Sequence, residues 1–268
     1  MARFKETPGL AIVSLEKANN FNFLEYSARA PFDNEALRKA ISSAINTDSI
    51  IELSYLGNAT ANQCPVPIGN AAYDAALCAE HGYSYDLEKA KQYLADAGLT
   101  DSDGNGFVDQ DGQEVVITIW SYTGFPERQK AMEIMQADFN AIGLKTELQS
   151  VDFGALQPKM ESGETGIDYM RWTLVDQSIL SALFKSPGWT QQTNDPELDK
   201  LLAVANTTVD PAKRLEASHA AMTYVLDHAL VSPMVTDWII VATHDYVKNY
   251  HWDALNTERL NDVWLEKG

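Results

Sequence analysis

Four oxygen-bearing side chains crowd the stretch DSDGNGFVDQDG, residues 101–112. Asp101, Asp103, Asn105 and Asp109 fall at positions 1, 3, 5 and 9 of a frame whose sixth position is Gly106. A calcium loop of the EF-hand type presents oxygens at those positions, a carbonyl at position 7 (here Phe107) and a bidentate Glu at position 12. Position 12 is Gly112, flanked by Asp111 and Glu114, so the strongest anchor is missing. A helical pattern enters the stretch and a strand pattern leaves it, where an EF-hand has a second helix. Two readings stand. The first is a polar turn whose glycines take positive φ. The second is a structural calcium ion, which would relieve repulsion among clustered carboxylates. No other cofactor is expected.

Catalytic signatures are absent from the sequence. It holds no GxSxG elbow, no phosphate-binding GxxxxGK[ST] loop, no GxGxxG after a strand and no HExxH. His219 and His228 share a helical segment but are not at metal-ligand spacing, and His81, His244 and His251 stand apart. Asp and Glu are too numerous for one pair to be singled out as acid and base. What does accumulate is aromatic. Trp120, Tyr122 and Phe125 lie at the exit of one strand pattern, and Tyr169 and Trp172 lie on another, beside Arg171 and ahead of Asp176. Strand ends of an α/β sheet are where ligands bind, and an aromatic pocket with a few placed charges suits a small molecule or peptide. Each aromatic also has a plain reading as a core residue.

The elements that must position these groups follow from periodicity. GLAIVSLE and NFNFLEYSA alternate as strands, and EVVITIWSY (114–122), LKTELQSVDF (144–153) and GIDYMRWTLV (166–175) read likewise. Helices are expected from an Asp33 cap, a Thr47 cap running to Gly57, Asp86 to Gly98, Pro126 to Gly143, GALQPKMESG, SILSALFKS, and two Asp-Pro starts at 195 and 210. LVSPMVTDWIIVATHDYV reads as one long strand or a pair, residues 58–85 as a loop, and the tail from Lys248 as irregular until NDVWLEKG. Strand and helix alternate, so the fold class is α/β with a mixed sheet flanked by helices.

The 268 residues suffice for one large domain or two small ones. A net charge of −18 disfavours nucleic acid and anionic membranes as partners. Met1-Ala2-Arg3 runs straight into FKETPGLAIVSL without a leader pattern, which read alone points to the cytosol. Cys64 and Cys78 point the other way. They bracket a turn-rich loop and suit a disulfide of an exported protein, the alternative being two partly buried thiols. A zinc site lacks further ligands.

Taken in order, several segments resemble the family 5 extracellular solute-binding proteins, the peptide-binding components of ABC importers. They are PFDNEALRKAISSAINTDSII, YSYDLEKAKQYLADAGL, EIMQADFNAIGLKTELQSVDF, TNDPELDKLLAVANTTVDPAKRLE and VKNYHWDALNTERLNDVWL. The resemblance implies a periplasmic-binding-protein-like fold (type II, peptide-binding cluster) of two lobes closing on a ligand, of which this chain carries the C-terminal one. Residues 1–30 would then be crossover strands from a first lobe, 31–230 the ligand-binding lobe, and 231–268 a return segment. Most of the first lobe and the export signal would precede the chain. By the same resemblance Asp176, four residues after Trp172, holds a ligand's amino group. Members that bind peptides usually space the two by three. Arg171 meets a carboxylate or, equally, forms an ion pair with a nearby acid. Dipeptide-binding members carry an Arg in the loop that here reads SYTGFPE, which argues against strict dipeptide specificity. The resemblance further implies a periplasmic monomer that delivers a peptide or small polar solute to a permease, with a Cys64–Cys78 bridge. The alternative is an α/β hydrolase acting on an ester or sugar.

Overall fold

A computed structural model of the chain describes residues 6–186, 194–253 and 255–266. Strands β1 (Leu10–Leu15) and β2 (Asn20–Tyr26) come first, followed by helix α1 (Glu35–Ser43). The cap of α1 is Asn34 rather than the expected Asp33, because its side chain accepts from the Ala36 and Leu37 amides. A turn in which Phe32 N–H donates to Arg29 and Asn34 N–H to Pro31 delays the helix by one residue. Helix α2 starts at Thr47–Ser49 and runs on as a π-helical turn, Ile50–Ser54. Its cap is Asn46 rather than Thr47, through the Ser49 amide.

The segment expected as loop contains β3 (Ala59–Ala61) and α3 (Ala75–His81), the latter capped by Asp74. Both are too short to show a period. Cys64 and Cys78 are joined in a disulfide, with Cα atoms 5.2 Å apart, which ties the loop to α3. Then come α4 (Leu87–Asp96), β4 (Asp109–Gln110), β5 (Gln113–Glu114), β6 (Val116–Tyr122), α5 (Pro126–Ala141), β7 (Lys145–Val151), α6 (Phe153–Glu161) and β8 (Ile167–Thr173). Helices α7 (Ile179–Phe184), α8 (Pro196–Thr207) and α9 (Pro211–Asp227) follow, the last two capped by Asp195 and Asp210 as expected. The C-terminal run divides into β9 (Val231–Asp237) and β10 (Ile239–His244). The tail holds four strands of two residues, two of them (β12 and β13) where irregular chain was expected. β11 (Val247–Lys248) pairs with β14 (Trp264–Leu265), and β12 (His251–Trp252) with β13 (Glu258–Arg259).

Six strands form one mixed sheet in the order β3-β9-β2-β8-β6-β7. β6 is parallel to β7 and β8, whereas β2 is antiparallel to β8 and β9. Every residue of the central β2 is buried. Helices cover both faces. Leu24, Ile119 and Tyr169 pack on one side with α1, α2, α4 and α5. Phe21, Phe23 and Met170 pack on the other with α3 and α6 to α9. Strand alternation divides the neighbours of these residues between the two faces. β1 and β10 stand outside the sheet and pair only with each other, Leu15 opposite Ile239. Among the described residues no helix is long and apolar enough to cross a membrane.

Candidate functional site

The antiparallel pairing of Asn20 with Thr173 puts the start of β2 beside the end of β8. β9 ends at that same edge, and the parallel β6 and β7 end there too. The β1–β2 and β9–β10 crossings also lie there, so two chain segments leave the sheet side by side next to its carboxyl-end rim. This is the crevice in which open α/β sheets take ligands.

At the rim, Asp237 organises residues from three strands. Its Oδ1 accepts from Asn22 Nδ2 at 2.7 Å and from Arg171 Nε at 3.0 Å, and its backbone oxygen accepts from Asn20 Nδ2 at 3.2 Å. The ion pair is only partly exposed, so a fixed, multiply bonded carboxylate holds the guanidinium. Below it, the Tyr55 and Tyr169 hydroxyls meet at 2.9 Å. Burial pushes both phenols well above their usual range, which keeps this pair neutral.

The aromatic residues lie on the opposite face from Arg171. Trp120, Tyr122 and Trp172 pack against the α6–α9 side. The Tyr122 ring meets Phe125 edge-on at 5.3 Å and Phe153 at 5.2 Å. Lys159 Nζ lies 5.6 Å from the Trp120 ring centre. The structure therefore brings Trp120, Tyr122, Phe125 and Trp172 to one end of the sheet but turns Arg171 away from Trp172, as their adjacency on one strand requires. Asp176 sits in the loop after β8 and is exposed. Its Oδ1 accepts from the Ser178 amide at 2.8 Å, ahead of α7.

Sequence reading passed over two residues here. Asp237 is 66 positions from Arg171, with no local pattern to join them. Arg128 stands in the first turn of α5, buried to 2% exposure against Tyr122 and Phe125. A cation in a first turn runs against the helix dipole, and that was its legible sign.

The 101–112 stretch lies apart from this rim. Carboxylate oxygens of Asp101, Asp103 and Asp109 come within 4.8 Å of one another. The loop's own donors already engage them. Asp101 accepts from the Gly104, Asn105 and Gly106 amides, and Asp103 from Asn105. Asp109 accepts from the Ser102 amide and hydroxyl, which hold its carboxyl below the usual range. Asp111 and Gly112 take φ of 53° and 75° as the turn of the β4–β5 hairpin, the backbone that a two-residue type I′ connection needs. Position 12 is thus a hairpin glycine. Glu114 beyond it pairs with Lys145 at 2.6 Å. The stretch connects α4 to β6, and the hairpin leaves no bidentate ligand at position 12.

A model of the bacterial extracellular solute-binding proteins, family 5 Middle, matches residues 1–191. The glutathione-binding protein GsiB of Pectobacterium atrosepticum is 28% identical over 249 residues, covering 88% of this chain and 43% of that protein. The dipeptide-binding protein of Escherichia coli is 24% identical over 281 residues, covering 99% and 49%. Among solved structures, the oligopeptide-binding protein AppA of Bacillus subtilis, in complex with a nonapeptide, superposes with a TM-score of 0.83 at 21% identity, covering 98% of this chain and 54% of that one. The periplasmic binding protein DppA of Helicobacter pylori, in complex with the peptide STSA, does so with 0.82 at 23%, covering 99% and 51%. The chain spans about half the length of the curated relatives it matches.

Proposed function

The chain belongs to the family 5 bacterial extracellular solute-binding proteins, and from that membership we propose that it forms the C-terminal lobe of a receptor for an ABC importer. The receptor captures a peptide-like or other small polar solute in the periplasm, as a monomer, and hands it to the permease. The observation that carries this reading is the rim. Aromatic side chains and fixed charges collect where two adjacent chain crossings leave the sheet, as a lobe that closes on a solute by a hinge requires. In this reading residues 1–30 enter the lobe, 31–230 build it, and 231–268 return from it.

Trp120, Tyr122, Phe125 and Trp172 offer ring surface to the solute. Asp176, exposed after β8, receives its cationic group. Arg171, whose Nε is committed to Asp237, orders the rim. The solute leaves chemically unchanged. The alternative of an ester or sugar hydrolase draws no support from the motifs or from the relatives, which are binding proteins by name. The test is a tryptophan-fluorescence titration of the receptor with a tripeptide library, with mass spectrometry of the recovered peptides. A saturable signal with intact peptide is expected. Cleaved peptide would overturn the receptor reading.

A further inference from the structure

The loop that carries Asp176 is held by a side chain far away in the sequence. β8 ends at Thr173, so the sheet supplies no ladder partner to the carbonyls that follow. Those of Leu174, Val175 and Asp176 converge instead on Asn70, whose Nδ2 donates to them at 3.3, 3.1 and 3.1 Å. Asn70 is buried, at 5% exposure. Its Oδ1 accepts from the Ala72 amide at 2.9 Å, which leaves the nitrogen end facing the loop. An amide nitrogen carries two hydrogens, so the carbonyls share them. Carbonyl oxygens gathered in this way are costly without a donor among them.

A second set of contacts fixes Asn70 itself. The Cys64–Cys78 bridge closes the segment on which it lies. Its backbone N–H donates to the Pro67 carbonyl, and its own carbonyl accepts from Tyr73. The Ala72 carbonyl accepts from His219 Nε2 of α9 at 3.1 Å. Gly69 lies against the β1–β2 crossover, where a Cβ would come within 2.7 Å of Asn19 Oδ1 and 2.8 Å of the Lys17 carbonyl. The Asn19 carbonyl in turn accepts from the Leu174 amide at 3.1 Å. Crossover, cysteine-closed segment and loop 174–178 thus form one bonded unit, with Asp176 exposed upon it.

We propose that Asn70 is a positioning residue of the solute site, which through these carbonyls holds loop 174–178 in the conformation that presents the Asp176 carboxylate at the rim. The inference rests on the reading of Asp176 as the receiver of the solute's cationic group. Asn70 acts through the backbone rather than on the solute. The Ser178 amide holds one Asp176 oxygen, and the other is left to the solute. A loop without this grip would spread the carboxylate over many positions, and binding would then bear the entropy of ordering it.

Two variants separate the donated bonds from the fold. Asn70→Ala removes the side chain. Asn70→Asp keeps its shape and the acceptor for Ala72 but loses the donor. Amide exchange is followed by NMR on the protein without ligand. The Leu174, Ser178 and Ile179 amides bond to the Asn19 carbonyl, Asp176 Oδ1 and the Asp176 carbonyl. In both variants they should exchange roughly tenfold faster, the scale of a lost hydrogen bond, with the amides of β2 unchanged. Unchanged loop amides, or an equal acceleration in β2, would overturn the proposal. The second readout is the fluorescence titration with the tripeptide library. Asn70→Asp should raise the apparent Kd roughly tenfold, and should leave it unaltered when Asp176→Asn is already present, because the two residues act as one unit. Equal losses in the two backgrounds overturn the positioning role. So does tighter binding by Asn70→Asp, which would mark an effect of its added charge alone. Exchange decides the inference whether or not a peptide binds, whereas cleaved peptide overturns only the receptor reading.

Discussion

Asp168 of β8 stands in register with Glu25 of β2. Residues directly opposite each other in an antiparallel pair point to the same face, so two carboxyl side chains share one layer of the core, 4% and 1% exposed. Thr165 Oγ1 donates to Asp168 Oδ2 at 2.6 Å, and Oδ1 has no hydrogen-bond partner among the described residues. Burial pushes the Asp168 carboxyl up to about 7, the Thr165 bond opposing it. The sign follows from linkage. An acid whose folded pKa is raised takes up a proton on folding, so its contribution is greatest below the unfolded value near 3.9 and is lost as pH rises to about 7, with a limiting slope of about 1.4 kcal/mol per pH unit. Asp168→Asn keeps the shape and removes the ionisation. Its urea midpoint should approach or exceed that of the wild type at pH 8 and lose that advantage at pH 5. Parallel pH profiles for the two proteins would show that Asp168 titrates as an ordinary carboxyl.

Elements differ in how plainly the sequence announces them. α5, α8 and α9 begin with Pro at the first turn, and α8 and α9 have an Asp cap before it; both signals are local, so both are legible in the sequence. β3, α3 and the two-residue strands β11 to β14 carry too few residues for any period to emerge, and β3 is decided by its pairing with β9, far away in the chain. The rim was half legible for the same reason. Trp120 and Tyr122 mark a strand end on their own, but the Arg171–Asp237–Asn22 contacts join three strands that only the fold brings together. The 101–112 stretch was legible only as two alternatives. Asp, Asn and Gly at alternating positions serve a cation loop and a chain of amide-accepting turns equally well, and the hairpin at Asp111-Gly112 is visible only in the fold. The Cys64–Cys78 pair was legible as one of two alternatives, and its consequence can be measured. Both cysteines are buried, so a reductant should act slowly until the chain opens. Closing a loop of this length stabilises by roughly 3 kcal/mol in the chain-entropy model. The double variant Cys64→Ser/Cys78→Ser should therefore lower the urea midpoint at unchanged slope. An unchanged midpoint would mean that the loop is already ordered in the unfolded ensemble.

For the whole molecule the governing quantity is charge. Thirty-eight acidic against twenty basic residues give a net −18. The lysines at 39, 91, 130 and 200 are used in pairs within one helical turn, and such exposed pairs contribute about 0–1 kcal/mol each. Repulsion among the remaining acids acts over longer distances, so added salt should weaken it more than it weakens the short pairs. The screening length falls from about 10 Å at about 0.1 M to about 3 Å at about 1 M. The melting temperature should accordingly rise with sodium chloride, a salt chosen because sulfate would strengthen apolar burial by itself. A fall with salt would mean that the ion pairs outweigh the repulsion. The same field bears on capture. It draws an ammonium group towards the lobe and holds a carboxylate off. A solute with both groups would then approach amino end first, and its association rate should fall as salt rises. An association rate indifferent to salt would remove the steering role from the acidic surface and leave recognition to contact alone.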